Sequence, residues 1–444
     1  MKLKNYFIIG VAVSFALTSC KKEDDAPKSE LDAPYSEVSV EQNKTNIEDN
    51  GIAMVNEMDA LMQSEAMDVA ESFSSIAETL FDNNPALSEM APMQTMSLLS
   101  DDNFDAQKVI AGLKSATEGT PTQISDEWAD AVGTYAWSAT NEIWNFTAGG
   151  DAIVFQFPGS ETDASNTAEF KVSNFSYMDV TANTYEMELE GITELPTSLN
   201  AALSYNGSEL ISYSFSASYQ PDGMPTALNT SLDVDGFVFA VEALHTLNKF
   251  GSVKYSFKHN DNTLIEAYAD ASGNWSQENI DANTETHTET YTDQWGEYTS
   301  EWTEVYIENI LKNANAHIQL MNIKVVGMID FAQLGKRMRA IEDKEYTEEE
   351  YEKEFAKALN DYAKLGVVYA DNGKKIAVAE AYAFEDTDEW GSYWGTDLRF
   401  IFADESTVSA EMYFETEFDN LIEEINDLID DFNAEYGAEI DPVE

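Results

Sequence analysis

Cysteine, basic residues and long apolar runs are what this sequence has little of. A single cysteine in 444 residues cannot close a disulfide within the chain, which excludes the small stapled scaffolds. With 22 glycines and 10 prolines in no regular repeat, a collagen-like chain is excluded as well. Only 24 Lys and Arg stand against 83 Asp and Glu, a formal net charge of −59. Binding a phosphate backbone needs clustered cations that displace its counterions, so nucleic acid is excluded as a partner. The longest apolar run, Phe7 to Leu17, has 11 residues, whereas a spanning helix needs about 20. No Gly-rich phosphate loop, nucleophile elbow or His-Glu-x-x-His pair occurs. The recognisable devices of nucleotide, acyl-transfer and zinc-hydrolase chemistry are therefore missing.

What is present is the composition of a folded protein: 43% hydrophobic and 12% aromatic residues, enough chain to bury two or three cores. So much like charge raises the energy of the compact state unless ions screen it. Screening shortens from a length of about 8 Å at physiological ionic strength as salt rises. The chain is thus expected to gain stability in salt.

The first 25 residues are the most specific. Lys2 and Lys4 precede the run Phe7 to Leu17, which closes on Leu17-Thr18-Ser19-Cys20. A basic start, a short apolar core and small residues before a cut form a secretory signal. With cysteine directly after the small pair, the segment resembles the lipobox of bacterial lipoproteins. That resemblance implies cleavage before Cys20, acylation of its sulfur and amino terminus, and attachment to a membrane; two or three acyl chains anchor a protein where one does not. Lys21-Lys22-Glu23-Asp24-Asp25 is similar to the lysine-then-acid export tag of Bacteroidetes surface lipoproteins, which implies an outer-membrane, cell-surface location.

The mature chain reads as an α+β protein, a large antiparallel meander sheet with amphipathic helices packed on it in two α+β units. The expected boundaries are a signal peptide over 1–19, an acylated cysteine and flexible tether over 20–46, a helical region over 47–120, a β-meander over 121–290 and a C-terminal α+β unit over 291–444. Apolar steps of three and four predict a helix from Gly51 to Phe81, with shorter helices at Pro85 to Leu99 and Asp105 to Ala116. Alternation and turn residues predict strands between Thr134 and Ala269, hinged at Asn206-Gly207, Asp222-Gly223, Asp235-Gly236 and Asn260-Asp261-Asn262. Trp302, Ile310, Ala314, Ile318 and Met321 predict another helix. Thr347 and Glu350 have capping-box spacing, with Gly366 just past that helix. Asp371-Asn372-Gly373 predicts a hairpin, and apolar spacing from Phe418 to Phe432 predicts a last helix.

Chemistry-bearing groups are sparse, and no catalytic residue is assigned. The four histidines, His245, His259, His287 and His317, are scattered; His317 falls in the apolar stripe of its predicted helix and reads as structural. Glu285 and Glu289 flank His287 on alternate positions. At about 3.3 Å per residue the two acids lie roughly 13 Å apart on a strand, too far to grip one ion. That segment reads as a linker or an edge strand, and no metal ligand set is assigned. Asp386, Asp388 and Asp397 have part of the spacing of a calcium loop, but Trp390 holds a position that needs an oxygen ligand. No cofactor is expected beyond weak Ca²⁺ binding. The same loop sets Trp390, Tyr393 and Trp394 beside Asp386, Asp388 and Asp397. Aromatic platforms with orienting carboxylates hold sugars, so these six form the candidate ligand-binding set, with core filling as the bland alternative. The functional expectation is a non-enzymatic binding or accessory protein, anchored at the outer membrane through Cys20. Its expected partner is a glycan, an apolar ligand or a membrane protein. The alternatives are a lipid carrier with an apolar cavity and an unrecognised hydrolase.

Overall fold

The computed structural model describes residues 30–70, 72–73, 76, 124–160, 162–181, 193–293, 296–388, 391–409, 422–427 and 429. The predictions for Cys20, for Pro85 to Leu99, for Asp105 to Ala116 and for Trp390 fall outside them. The fold is α+β. In chain order the strands are β1 (Gly133–Ser138), β2 (Ile143–Ala148), β3 (Ile153–Phe157), β4 (Ala168–Asp179), β5 (Glu194–Tyr205), β6 (Ser208–Tyr219), β7 (Pro225–Val234), β8 (Phe237–Thr246), β9 (Phe250–His259), β10 (Asn262–Gly273), β11 (Thr284–Asp293), β12 (Gly296–Val305), β13 (Leu311–Leu320), β14 (Ile323–Asp330), β15 (Ala363–Tyr369), β16 (Lys375–Asp388), β17 (Gly391–Ile401) and β18 (Thr407–Ser409). Sixteen of them form one sheet in the order β18-β17-β16-β15-β14-β13-β10-β9-β8-β7-β6-β5-β4-β3-β1-β2, and β11 pairs with β12 alone.

From β5 to β10 the order is a meander because short turns join successive strands. Asn206, Asp235, Asn260 and Asp261 all adopt the positive φ that two-residue hairpin turns demand. One pair departs from the expected antiparallel pattern: β1 lies parallel to β3, Gly133 opposite Ile153. The β1–β2 hairpin places β2 at the outer edge, and the chain returns through Gly149 and Gly150, both at positive φ, to run beside β1.

The chain divides into two compact units. One is built from residues 58–242 and 257–260. Its core is the face of the sheet carrying Ile153, Phe155, Phe157, Phe170, Val172 and Leu203. Phe73 caps these rings, its centroid 5.0 Å from Phe157 and 5.5 Å from Phe170. Helix α2 (Ile124–Ala131) adds Trp128, stacked on Phe175 at 4.8 Å. Its first turn is held by buried Glu194, which accepts the Ser125 amide and hydroxyl at 3.0 Å each, a carboxylate at a helix N-terminus.

The other unit comprises the described residues up to 57 together with 243–256 and 261 onward. Here α1 (Val40–Met62) as far as Glu57, α5 (Phe331–Glu342) and α6 (Glu348–Tyr362) accompany the strands, with two short helices, α3 (Gln277–Ala282) and α4 (Ile307–Ile310), after β10. Val40 and Ile47 of α1 pack on Val367, Tyr369, Ile376 and Phe400. The Thr347–Glu350 capping box forms as expected.

Several expectations are corrected. The helix expected through Trp302, Ile310, Ala314, Ile318 and Met321 is instead the end of β12, then α4, then β13 and the turn after it. Four-residue steps satisfy a strand period as well as a helical one, and Ala314, Ala316, Ile318 and Leu320 alternate with Asn315, His317 and Gln319. The tether expected over 20–46 is structured from Glu30: a 3₁₀ turn buries Leu31, and α1 begins at Val40, eleven residues before the predicted start. Ser39 starts that helix by accepting the Gln42 amide at 3.2 Å. The helix also breaks at Gln63 and Ser64, short of Phe81. Gly366 lies inside β15 rather than ending a helix, and leaves room for Leu31: a Cβ there would sit 2.6 Å from the leucine Cδ2. Helices α2 and α5 and strand β14 have no counterpart in the sequence reading.

Candidate functional site

Strand pairing assembles a cleft on one sheet face. Tyr268 of β10 is opposite His317 of β13, and His317 is opposite Val326 of β14; two residues along each strand, Asp270, Asn315 and Met328 line up in the same way. Because alternate residues share a face, Glu266, Tyr268, Asp270, Asn315 and His317 all project to the same side. The 3₁₀ turn lays Glu30 and Leu31 along the margin, enclosing about 280 Å³. Leu31, Val326 and Met328 give it an apolar part.

Its polar groups are linked. Lys254 Nζ lies 3.2 Å and His317 Nε2 3.0 Å from the Glu266 carboxylate. The Tyr268 ring stacks on His317 at 5.3 Å, and Asn315 Nδ2 donates to Asp270 Oδ1 at 2.7 Å. Lys324 reaches Glu30 at 3.1 Å. Burial pulls the His317 pKa below that of an ordinary histidine, against the opposing pull of Glu266, so the ring is held neutral. A neutral ring facing a carboxylate carries its proton on Nε2, which leaves Nδ1 as an acceptor. Burial also acts to raise Glu266, but its bonds from His317 and Lys254 prevail and hold it below the usual carboxylate range. At Asp270 burial prevails over the bonds from Asn315 and Tyr268, and the pKa is raised. A cleft holding perturbed groups of this kind is a candidate ligand site.

The six-residue set read from the sequence is split by the pleat. Asp386 is opposite Tyr393, and Tyr393 Oη donates to Asp386 Oδ2 at 3.0 Å. Asp397 is opposite Tyr382, whose Oη donates to it at 3.4 Å. Trp394 is opposite Glu385 on the other face, where Lys353 of α6 lies 5.1 Å from its ring. Asp388 ends β16 opposite Gly391, its side chain outside the description, as is Trp390. Trp394 therefore forms no common surface with Tyr393, Asp386 and Asp397. The calcium-loop spacing falls on a β-hairpin, and among the described residues no group of three or more His, Cys, Asp or Glu converges as a metal site.

The histidines also take new places. His317 sits in the cleft on a strand. His245 accepts the Trp275 indole N–H at 3.3 Å, and His259 stacks on Phe237 at 3.8 Å. His287 lies on the two-stranded β11–β12 ribbon, stacked on Trp302 at 4.2 Å and 3.1 Å from Glu304. A helical reading of the stretch from Ile310 to Met321, which takes in His317, hides the cleft. The alternation Glu266-x-Tyr268-x-Asp270 facing Asn315-x-His317 would have shown it. The chain matches no known protein family, no curated protein and no solved structure.

Proposed function

We propose that this is a lipid-anchored envelope protein, held at the outer membrane through Cys20, that binds a small ligand non-enzymatically in the cleft between β10, β13 and β14. The observation that carries the reading is the pairing of half-buried Asp270, Asn315 and His317 with an apolar wall of Leu31, Val326 and Met328. Orienting polar groups beside apolar surface are what small-ligand sites use. A lipid carrier is less well supported. The larger trough, about 550 Å³ in the unit built from 58–242, is lined by Lys171, Asn200, Ser212, Ser214 and Asp233, a poor bed for acyl chains.

Native mass spectrometry of protein purified from its own membranes tests the binding role. A retained small molecule that is lost in Met328→Trp, which fills the cleft, is the expected result. A bound phospholipid would favour the carrier, and an empty protein indifferent to Met328→Trp would end the reading. Metabolic labelling with palmitate tests the anchor, since Cys20→Ala should abolish incorporation and release the protein from the membrane.

A further inference from the structure

Granting that the cleft is a binding site, we infer that its ligand is a small protonated amine whose ammonium group sits between Asp270 and His317. The argument starts from charge. Around the cleft Glu30 is paired with Lys324 and Glu266 with Lys254, while Asp270 is bonded by the uncharged Asn315 and Tyr268 and no described lysine or arginine pairs with it. With His317 neutral, one half-buried negative charge is left without a compensating cation. Anions are repelled, and a neutral polyol would satisfy hydrogen bonds but leave that charge standing.

Donor count points the same way. Asp270 accepts, and the remaining acceptor of His317, Nδ1, takes no bond from any described residue. Both call for donors, and an ammonium group supplies three. The two residues are diagonal neighbours across β10 and β13, a separation of about 7–8 Å between backbones. Both line the same cleft, and one nitrogen bonds both where their acceptors come within about 5 Å, the span of two bonds of about 2.9 Å at a tetrahedral angle. A metal ion is less suited, because among the described residues no third His, Cys, Asp or Glu converges with them. The 280 Å³ volume admits about nine water-sized groups at about 30 Å³ each. That is room for an amine on a compact body lying against Leu31, Val326 and Met328.

The test is calorimetric titration of the full chain, in about 0.15 M salt to suppress diffuse attraction by its negative surface. The probes are cyclohexylamine and its neutral isostere cyclohexanol. The amine should bind about ten- to a hundredfold more tightly, the range of a hydrogen bond to a charged group. Asp270→Asn should erase that preference. His317→Phe, which keeps the stack on Tyr268, should weaken the amine and spare the alcohol, and serves as well if Asp270→Asn fails to fold. Equal binding of both probes, displaced by Met328→Trp, would overturn the amine assignment while leaving the cleft a binding site. Amine binding untouched by Asp270→Asn, His317→Phe and Met328→Trp would place it elsewhere and overturn the assignment too. Binding of neither probe would overturn it as well, and an empty native protein indifferent to Met328→Trp would then remove the cleft reading beneath it.

Discussion

Leu31→Ala is the most informative single perturbation of the segment that edges the cleft. Leu31 is 6% exposed and rests on Val326 and Val368, over the space that Gly366 leaves open. Truncating a buried leucine costs about 2–5 kcal/mol, and the lower half applies where the surroundings can relax. Here they can, because residues 30–36 are fastened to β16 mainly by two backbone bonds, Ser36 N–H to Lys375 O at 2.8 Å and Lys375 N–H to Pro34 O at 3.0 Å. The partly exposed ion pairs of Glu30 with Lys324 and Asp32 with Lys364 add little. The loss should therefore fall on local detachment of the segment rather than on global unfolding. A local cost of about 2–3 kcal/mol raises the detached population about 30- to 150-fold. Native-state hydrogen exchange at the Ser36 and Lys375 amides reads that population directly. Accelerated exchange there, with core amides such as Phe155 unchanged, is the expected pattern. Unchanged protection at Ser36 and Lys375 would falsify the claim that Leu31 holds the segment down. Gly366→Ala offers a second route to the same detachment, and a harsher one: its Cβ would also meet the Ala377 carbonyl at 2.8 Å, which cannot swing away.

Further outcomes follow from the same structure. Phe155→Ala, at a fully buried ring against Tyr135 and Phe170, should destabilise its unit by about 3–5 kcal/mol in denaturant unfolding; a loss under 1 kcal/mol would mean that the cluster is not packed as described. Thr347→Ala removes the cap of α6 and should cost about 1 kcal/mol, read as a lower midpoint, with Thr347→Ser restoring it. His317 has its folded pKa depressed by burial, so its neutral form contributes stability above the unfolded value of about 6.5 that is lost as pH falls through it. The stability gap between wild type and His317→Gln should therefore shrink from pH 8 to pH 5.5, and a widening gap would refute the assignment of a neutral ring. Finally, the excess of acid over base predicts a melting temperature that rises with sodium chloride; a flat or falling curve counts against self-repulsion.

Backbone punctuation was the legible part of this fold. Asn206-Gly207, Asp235-Gly236 and Asp371-Asn372-Gly373 each sit at a hairpin, and Thr347 with Glu350 caps a helix, because such residues act through their own φ angles and side chains. Positions decided by distant partners were not legible. Gly366 looked like a helix end and is a strand residue shaped by a leucine 335 positions earlier. Ala314 and Ile318 fit either period, and the choice falls to β10 and β14, which flank them on both sides. The candidate site suffered most from this ambiguity. Its members come from three strands and a turn at residue 30, and one misassigned strand hid the meeting of Asp270, Asn315 and His317. The loop at Trp390 stood out by composition instead, and composition is silent about which face a side chain takes.

The β11–β12 ribbon is an excursion between two strands that are themselves neighbours, β10 and β13. Its inner rungs are secured: Glu304 bonds Arg339 at 2.6 Å and His287, and His287 stacks on Trp302. One rung further out, Thr288 and Glu301 already lie side by side. A two-residue reverse turn would splice them without disturbing the foundation, and a foreign domain whose ends nearly touch could be grafted at the same spot. The protein thus carries a ready-made port, one that can be pruned back or loaded with cargo while the main sheet keeps its register.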